Sequence, residues 1–404
     1  MAKTKIGILG AGYAGLLALK VLQSKAKDVE ITLIDRNSYH NEATDYHEVA
    51  AGSVNADKIT YQIADVVKPG ITNFIQATVT KIDKEAKTVE IEGHEPMTFD
   101  YLIVALGFRS ETFGIKGATE FALPMDDVES SEAVYKHFIA KLEDYRTSKK
   151  PDNLKVLIAG AGFTGMELLG AMAENKAKYA KIAGVTPDDI ELTCIDAAPS
   201  LLPMFPSDLA DYAVKRLAKR GAKVYTSRGI NEVKDGVVVA QNMETKEIIE
   251  FPAGTIIWTT GVSGSDVIAN SGIEARRNRV MVTSQLKDPE NDKVYILGDV
   301  AAVMDAESGR PYPTTAQIAL VMGHVAAMNI IADMNGQEGE DFKYVSQGTV
   351  CSLGNTDAIG VLGNGTKVKG YVASALKKII MNKSLWETGG VKEMLAKGRF
   401  DLYH

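Results

Sequence analysis

The sequence predicts an α/β protein in which one plan, a buried strand followed by a glycine-rich turn and a helix, is used twice. The stretch KIGILGAGYAG runs from Lys5 to Gly15, and KVLIAGAGFTG repeats its pattern from Lys155 to Gly165. Each stretch is followed by an apolar helical pattern and then by a further apolar strand, as in parallel α/β sheets. The interval between the copies is the size of a domain, so whole domains are repeated rather than short units.

The first copy shows its elements in order. Its glycine turn opens a helix that continues to about Leu22, and DVEITLIDRN forms a second strand that ends at Asp35. NFIQATVTKID and KTVEIEG predict short alternating strands, and FDYLIVALG predicts an apolar strand closed by Gly107.

The second copy begins at Leu154, after the polar, proline-containing linker YRTSKKPDNL. A strand, the second glycine turn and a helix precede the strand IELTCIDAAPS, which ends near Asp196, and GVVVAQ and GTIIWTTGV follow. The apolar strand in KVYILGDVAAV, ending at Gly298 and Asp299, then predicts a return to the first domain. The first domain is therefore expected to be discontinuous in sequence.

The glycine turns predict two Rossmann-like dinucleotide sites, because each has a strand before it and a helix after it. In such a motif the first glycine permits the tight turn, the second lets a pyrophosphate approach, and the third lets helix and strand pack closely. The pyrophosphate lies on the helix N-terminus, and an acid at the end of the next strand accepts from a ribose hydroxyl. The predicted residues are Gly10, Gly12, Gly15 and Asp35 in the first copy, and Gly160, Gly162, Gly165 and Asp196 in the second.

Two such sites in one chain predict two dinucleotides whose reactive rings meet, a flavin in one domain and a nicotinamide in the other. Hydride would then pass between the rings while the protein supplies position and electrostatics. Asp196, with no Arg directly after it, favours NAD over NADP because its carboxylate repels a 2′-phosphate.

Composition excludes several other classes. The net charge of −7 argues against general nucleic-acid binding. Two cysteines, Cys194 and Cys351, argue against a disulfide scaffold, and we predict no metal site. The start of the chain lacks a signal-peptide pattern, and we expect no spanning segment because no run of about 18 apolar residues is present.

The charge is unevenly distributed along the chain. From Lys367 onward the chain contains eight Lys or Arg residues and three acidic residues, so this tail carries about +5 and the rest of the chain about −12. Within the tail, Val372, Ala375, Leu376, Ile379 and Ile380 fall on one helical face, which Lys377, Lys378 and Lys383 are expected to flank. A cationic amphipathic helix, here followed by Trp386, is typical of a segment lying on an anionic membrane surface, and packing on its own domain or on a second subunit is the alternative.

Taken together, the motifs resemble those of the type II NADH:quinone oxidoreductases, single-subunit flavoproteins with two dinucleotide-binding domains. GAGYAG, HEVAAG, VALGF, GAGFTGMEL, GDVA, PTTAQIA and GTVCSLG stand in the order found in that family. The resemblance implies FAD as cofactor, NADH as substrate and a membrane quinone, menaquinone in our prediction, as acceptor, without proton pumping. It further implies a peripheral, monotopic enzyme on the cytoplasmic face of the cell membrane that forms a homodimer.

With these cofactors, the predicted domains follow the motifs. The FAD-binding domain comprises 1–115 and 289–362, the NADH-binding domain comprises 116–288, and the membrane-anchoring region comprises 363–404.

The resemblance also assigns site residues. FAD contacts are implied at Gly10, Ala11, Gly12, Tyr13, Ala14, Asp35, Arg36, Val79, Thr80, Asp299, Ala316 and Gln317. Glu167, two residues past Gly165, is predicted in the first turn of its helix, beside the nicotinamide and flavin, where it serves NADH binding or proton handling. Gln317, near the start of a helix beginning around Thr315, is predicted to contact the quinone, although Val321 stands where some members have a second Gln. Lys377 is predicted to stabilise the reduced flavin, and His47 and Glu48 to line the same cavity.

Three other functions on this fold remain alternatives. A disulfide reductase needs two redox cysteines close in sequence, which Cys194 and Cys351 are not. A sulfide:quinone oxidoreductase uses separated cysteines at the flavin, but Cys194 lies within a predicted strand. A non-enzymatic NADH-sensing flavoprotein is the third alternative, and turnover with a quinone would exclude it.

Overall fold

A computed structural model describes residues 3–401 and contains two five-stranded parallel sheets with the same strand arrangement. In spatial order, the strands of the first sheet are Val294–Ile296, Tyr101–Val104, Thr4–Leu9, Val29–Asp35 and Thr72–Gln76. Those of the second sheet are Leu123–Pro124, Thr255–Trp258, Lys155–Ala159, Glu191–Ile195 and Ala222–Tyr225. The central strand of each sheet precedes a glycine turn, so the predicted repeat and the return strand are confirmed.

Helices and smaller sheets surround the two parallel sheets. The α-helices are Tyr13–Lys25, Tyr46–Ala50, Ala118–Phe121, Val128–Ser148, Phe163–Glu174, Lys176–Ala183, Ser207–Lys219, Val267–Asn270, Ala316–Met334 and Tyr371–Lys397. The three-stranded antiparallel sheets are Val79–Asp83, Thr88–Ile91 and Met97–Thr98; Arg228–Lys234, Val237–Asn242 and Ile248–Pro252; and Gly348–Ser352, Ala358–Leu362 and Lys367–Lys369. Short strand pairs are Tyr39–Asn41 with Thr60–Gln62, Phe108–Ser110 with Val262–Gly264, and Val280–Met281 with Ala301–Ala302.

The helix Ala316–Met334 packs tightly on the helix Tyr13–Lys25. A Cβ at Gly323 would lie 2.2 Å from the Ala14 carbonyl oxygen, so this crossing requires glycine. The helix has 19 residues and a mean hydropathy of 1.4, so by length and composition alone it could cross a membrane. Its buried residues, among them Ile318, Ala326 and Ile330, belong to the core of the first sheet, which is the ordinary environment of an apolar core helix.

The C-terminal helix Tyr371–Lys397 forms as predicted but is kinked at Gly390, where φ is 85°. It packs on the first domain, where the Lys20 ammonium donates to the carbonyls of Trp386 and Glu387 at 2.7 and 2.9 Å. The predicted apolar face is divided: Val372 and Ile379 are exposed, whereas Leu376 and Ile380 pack on the sheet that begins at Gly348.

The structure corrects the predicted positions of the flanking lysines. Lys377 and Lys378 do not border an exposed face, because each turns inward to a carboxylate. Four of the eight basic tail residues pair with acids of the body: Lys367 with Asp208, Lys377 with Glu167, Lys392 with Asp65, and Arg399 with Glu48. The acidic body and the basic tail are therefore complementary surfaces of one fold.

The domain boundaries stay predictions. Strands of the first sheet come from both sides of the second sheet, which spans 123–225 and 255–258. The boundary between 362 and 363 falls inside the sheet that begins at Gly348, because Lys367–Lys369 pairs with Ala358–Leu362. The outermost predicted residues, 1–2 and 402–404, lie outside the described residues.

Candidate functional site

The two glycine turns have the geometry that a dinucleotide needs. Gly10 and Gly160 have φ of +100° and +101°, a backbone region that favours glycine. A Cβ at Gly15 would lie 1.9 Å from the Gly10 oxygen, which explains the third glycine. Within residues 3–401, an added Cβ at Gly12 or Gly162 would meet nothing within 4 Å, and neither helix start carries a side-chain cap. Open space and free N–H groups at a helix N-terminus fit a pyrophosphate, so the turns fit FAD and NADH.

The acids Asp35 and Asp196 brace these turns. One oxygen of Asp35 accepts from the Ala11 N–H at 2.7 Å, and one oxygen of Asp196 accepts from the Ala161 N–H at the same distance. Burial raises the pKa of Asp35 against the lowering effect of the hydrogen bonds from the Ala11 and Asn37 N–H groups. That Asp35 and Asp196 also accept hydrogen bonds from a ribose hydroxyl, through their remaining lone pairs, stays a prediction.

The other predicted FAD residues lie around the edge of the first sheet in different surroundings. Arg36 is exposed and lies 3.5 Å from Asp127. Val79 is buried in the hydrophobic core around the first sheet. Thr80 is exposed, and its hydroxyl donates to the Glu90 carbonyl at 3.2 Å. Ala316 begins its helix, and the Thr315 side chain caps it by accepting from the Ile318 N–H at 3.3 Å. Their contacts with FAD stay predictions.

Asp299 follows the strand Val294–Ile296 in a half-buried position. Burial raises its pKa to about 6, and the nearby Arg279 opposes this rise only partly. Because the folded-state pKa lies above the ordinary 3.8, the charged carboxylate destabilises the apoprotein at pH values above about 6.

Asp299→Asn should therefore raise the melting temperature of the apoprotein at pH 7 but not at pH values below the ordinary pKa of 3.8. Thermal denaturation at the two pH values measures this difference. An equal rise at both pH values would contradict the raised pKa of Asp299.

Glu167 lies at the centre of a buried polar cluster that joins three parts of the chain. Its Oε1 accepts from the Lys377 ammonium at 2.9 Å and from the Ser352 N–H at 2.9 Å. His47 Nδ1 lies 3.9 Å from the other carboxylate oxygen, and His47 Nε2 lies 3.4 Å from the Ser352 hydroxyl. The cluster thus connects the helix Phe163–Glu174 with the C-terminal region and with the first domain.

Both charges of this pair are favoured. Burial alone would raise the pKa of Glu167, but Lys377, His47 and the Ser352 N–H together lower it. Burial alone would lower the pKa of Lys377, but Glu167 above all raises it. Burial lowers the pKa of His47, so the imidazole is held towards its neutral form. The cluster therefore holds a carboxylate and an ammonium away from water.

The structure corrects the predicted position of Glu167. The helix begins at Phe163, so Glu167 lies in its second turn, and the first turn contains no acid. The favourable interaction of an acid with a helix N-terminus therefore does not explain why a glutamate stands at position 167, because that effect is confined to the first turn of a helix. Of the predicted pair His47 and Glu48, His47 faces Glu167, whereas Glu48 binds Arg399.

Gln317 lies apart from the Glu167 cluster. Its amide donates to the Gly348 carbonyl at 3.3 Å and accepts from the Tyr344 hydroxyl at 2.7 Å. Gly348 begins the strand whose last residue, Ser352, binds Glu167. One strand thus links the two predicted catalytic positions, and the quinone contact of Gln317 stays a prediction.

The sequence did not reveal every member of the cluster. Ser352 contributes a backbone N–H, which any residue type could supply, so its place in GTVCSLG was the only available signal. Arg399 is buried between Glu48 and Asp401, whereas in the sequence it was only one of the basic residues counted in the tail. Asp45 is buried near Lys377, and burial raises its pKa.

Two dinucleotide turns at the carboxyl ends of two parallel sheets define a flavin- and pyridine-nucleotide-dependent oxidoreductase. Residues 4–323 match the family described as pyridine nucleotide-disulphide oxidoreductase. The chain is 40% identical over 403 residues to the type II NADH:quinone oxidoreductase of Staphylococcus haemolyticus, covering 98% of this chain and 99% of that protein. The corresponding Staphylococcus aureus enzyme is 38% identical with the same coverage. The chain belongs to the type II NADH:quinone oxidoreductases, which makes it an FAD-dependent enzyme with NADH as substrate.

Solved structures agree with the fold. NDH2 from Plasmodium falciparum in complex with NADH superposes with a TM-score of 0.85 and 19% identity, covering 98% of this chain and 97% of that chain. A sulfide:quinone oxidoreductase from Aquifex aeolicus gives a TM-score of 0.78, also at 19% identity, with coverage of 99% and 96%.

The cysteines do not fit the sulfide or disulfide alternatives. Cys194 and Cys351 are free and fully buried, and burial raises the pKa of each thiol. The Cys194 thiol donates to the Gly160 carbonyl at 3.4 Å, beneath the second glycine turn. A buried thiol with a raised pKa forms little of the reactive thiolate.

Proposed function

We propose that the enzyme takes hydride from NADH at the second glycine turn onto FAD at the first, and then passes two electrons to a membrane quinone, menaquinone in our proposal. The observation that carries this proposal is the pair of matching turns, each open above its middle glycine, Gly12 and Gly162. The names of relatives at about 40% identity over nearly the full length support the quinone as acceptor.

When bound, FAD supplies a two-electron carrier between nicotinamide and quinone. The protein positions the two dinucleotides. The helix N-termini after Gly12 and Gly162 compensate the pyrophosphate charges, and Asp35 and Asp196 hold the glycine turns in place. Asp196 also selects NADH, because its carboxylate disfavours the 2′-phosphate of NADPH.

Lys377 is proposed to provide the positive charge at the electron-transfer site. Its ammonium is buried and stays protonated because Glu167 accepts from it at 2.9 Å. A fixed cation in a site shielded from water stabilises negative charge that develops during reduction. Glu167 holds Lys377 in place, and His47 at 3.9 Å is near enough to exchange protons with Glu167 through a small movement.

The enzyme is proposed to be monotopic, on the cytoplasmic face of the membrane, and not to pump protons. An exposed apolar surface of the C-terminal helix supports attachment, with Val372, Ile379 and Trp386 spaced seven residues apart. The helix Ala316–Met334 packs within the first domain, which supports a reaction without transmembrane proton transfer. Homodimerisation is proposed from family membership and is tested by analytical ultracentrifugation.

Membrane attachment is expected to be apolar rather than electrostatic, because four of the eight basic tail residues are paired with acids of the body and two more with acids of the tail itself. Ile379→Glu should weaken binding to neutral phosphatidylcholine liposomes about tenfold or more in co-sedimentation. Wild-type binding should change little when salt is raised. Ile248→Glu is the matched control, since Ile248 and Ile379 are both 54% exposed and Ile248 lies in the second domain. A requirement for anionic lipid, or an equal loss in the control, would contradict the prediction.

The reaction is tested by anaerobic mixing with NADH, and separately with NADPH, while flavin absorbance is followed. Bleaching by NADH and recovery on adding a menaquinone analogue is the expected result. Bleaching without recovery would remove the quinone from the proposal and favour the NADH-sensing alternative. Absence of bleaching would overturn the hydride transfer itself.

A further inference from the structure

The two glycine turns differ in how the residue after the first glycine is held. The Ala11 N–H donates to Asp35 and the Ala11 carbonyl accepts from His40 Nδ1, both at 2.7 Å. The Ala161 N–H donates in the same way to Asp196. Across residues 3–401, however, no side chain hydrogen-bonds to the Ala161 carbonyl. In the first glycine turn, side chains therefore hold both the N–H and the carbonyl of Ala11. In the second glycine turn, a side chain holds only the N–H of Ala161.

The contact with His40 controls the direction of the next N–H. A trans peptide is planar, so the Ala11 carbonyl and the Gly12 N–H point in opposite directions. By holding the carbonyl, His40 directs the Gly12 N–H away from the imidazole. Gly12 is the residue beside which the structure leaves open space, and its helix start has no side-chain cap. His40 thus presets a donor at the position of the pyrophosphate.

His40 is itself rigidly placed. A carbonyl only accepts, so Nδ1 carries a proton. The imidazole is 1% exposed, and its ring lies 5.5 Å from that of Tyr13 and 4.9 Å from that of Tyr61. Glu42 Oε1 lies 3.5 Å from Nε2, and Glu42 Oε2 accepts from the hydroxyls of Tyr13 and Ser384. The ring is therefore confined by Tyr13 of the first helix, Tyr61 of a strand and Glu42, which the C-terminal helix holds in place through Ser384.

We propose that His40 is a positioning residue that makes FAD resident, while the second turn, which lacks this contact, lets NADH exchange. The inference rests on the proposed function insofar as FAD occupies the first turn and NADH the second. A preset turn loses less conformational freedom on binding, so its ligand is held longer. The enzyme needs this difference, because FAD must stay through many turnovers while NAD leaves in each one.

The test measures flavin release from the purified holoenzyme during extended washing, without turnover. His40→Phe should release FAD about tenfold faster, the effect of losing one buried hydrogen bond. The affinity for NAD, measured by calorimetric titration of the oxidised enzyme, should not change. His40→Asn should restore retention, because its amide can donate to the same carbonyl. In the apoprotein, His40→Phe should speed deuterium exchange in the peptide that contains Gly12.

His137→Phe is the matched control, because His137 Nε2 lies 3.0 Å from the Gly254 carbonyl and, among the described residues, forms no hydrogen bond with either glycine turn. It should leave FAD release unchanged. Unchanged release from His40→Phe, no rescue by Asn, or an equal loss of NAD affinity would overturn the inference. If His40→Phe does not fold, His40→Met replaces it. Failure of the quinone to reoxidise the flavin would overturn the proposed function but leave the release rates interpretable.

Discussion

Replacing Lys377 by Met is expected to lower the free energy of unfolding by about 3–5 kcal/mol, because it leaves a buried carboxylate without its cation. The ammonium of Lys377 and the carboxylate of Glu167 are both largely shielded from water and lie 2.9 Å apart. Denaturation in urea measures the loss at pH 7. Reduction of the quinone should also slow in this variant, because the cation is missing when negative charge develops.

Two controls separate the pair from general damage to the helix. Lys383→Met, which breaks a partly exposed pair with Glu387 in the same helix and a hydrogen bond to Gln347, should cost less than about 1 kcal/mol. The double variant Glu167→Gln/Lys377→Met should cost less than the sum of the single changes, because it leaves no unpaired charge. Equal losses in the two Lys variants would contradict the proposed importance of the buried pair.

The same pair gives a pH dependence with a defined sign. The folded-state pKa of Glu167 is lowered, so its contribution is present above the ordinary 4.5 and is lost as the pH falls through the folded value. The folded-state pKa of Lys377 is raised, so its contribution is present below 10.5 and is lost as the pH rises through the folded value. The stability difference between wild type and Lys377→Met should therefore be largest near neutral pH and shrink in acid.

Gly162→Val is expected to raise the Kd for NADH by about ten- to a hundredfold while FAD stays bound, and Gly12→Val is expected to do the reverse. Both glycines have ordinary φ values, −71° and −74°, so a side chain causes no backbone strain. None of the described residues lies within 4 Å of an added Cβ, so the apoprotein should fold. The side chain nevertheless occupies the space of the pyrophosphate, at an overpacking cost of about 1–3 kcal/mol.

Flavin content and the NADH titration together measure both effects. Each variant is the control for the other, since they make the same change in matching turns. Unchanged NADH affinity in Gly162→Val, or loss of FAD from both variants, would show that the second turn is not a separate NADH site. A large fall in melting temperature of the apoprotein would contradict the open space around these glycines.

Much of the fold could be predicted because its signals are local. The glycine turns, the acids that end the following strands and the helix that begins near Thr315 are each encoded within a few dozen residues. The basic charge of the C-terminal tail could also be counted from the sequence, but the acids that its side chains pair with could not be predicted. Lys392 pairs with Asp65, 327 residues away, and no pattern within the tail indicates such a partner.

The sequence by itself determined the two dinucleotide turns, because a tight turn with φ near +100° and a close helix crossing allow few residues besides glycine. The tertiary structure alone decided what surrounds Glu167. Lys377 is 210 residues from it and Ser352 is 185, and both reach it only when the C-terminal region packs on the two domains. The physical reason is that backbone conformation depends on neighbouring residues, whereas burial and charge pairing depend on elements that meet only in the folded chain.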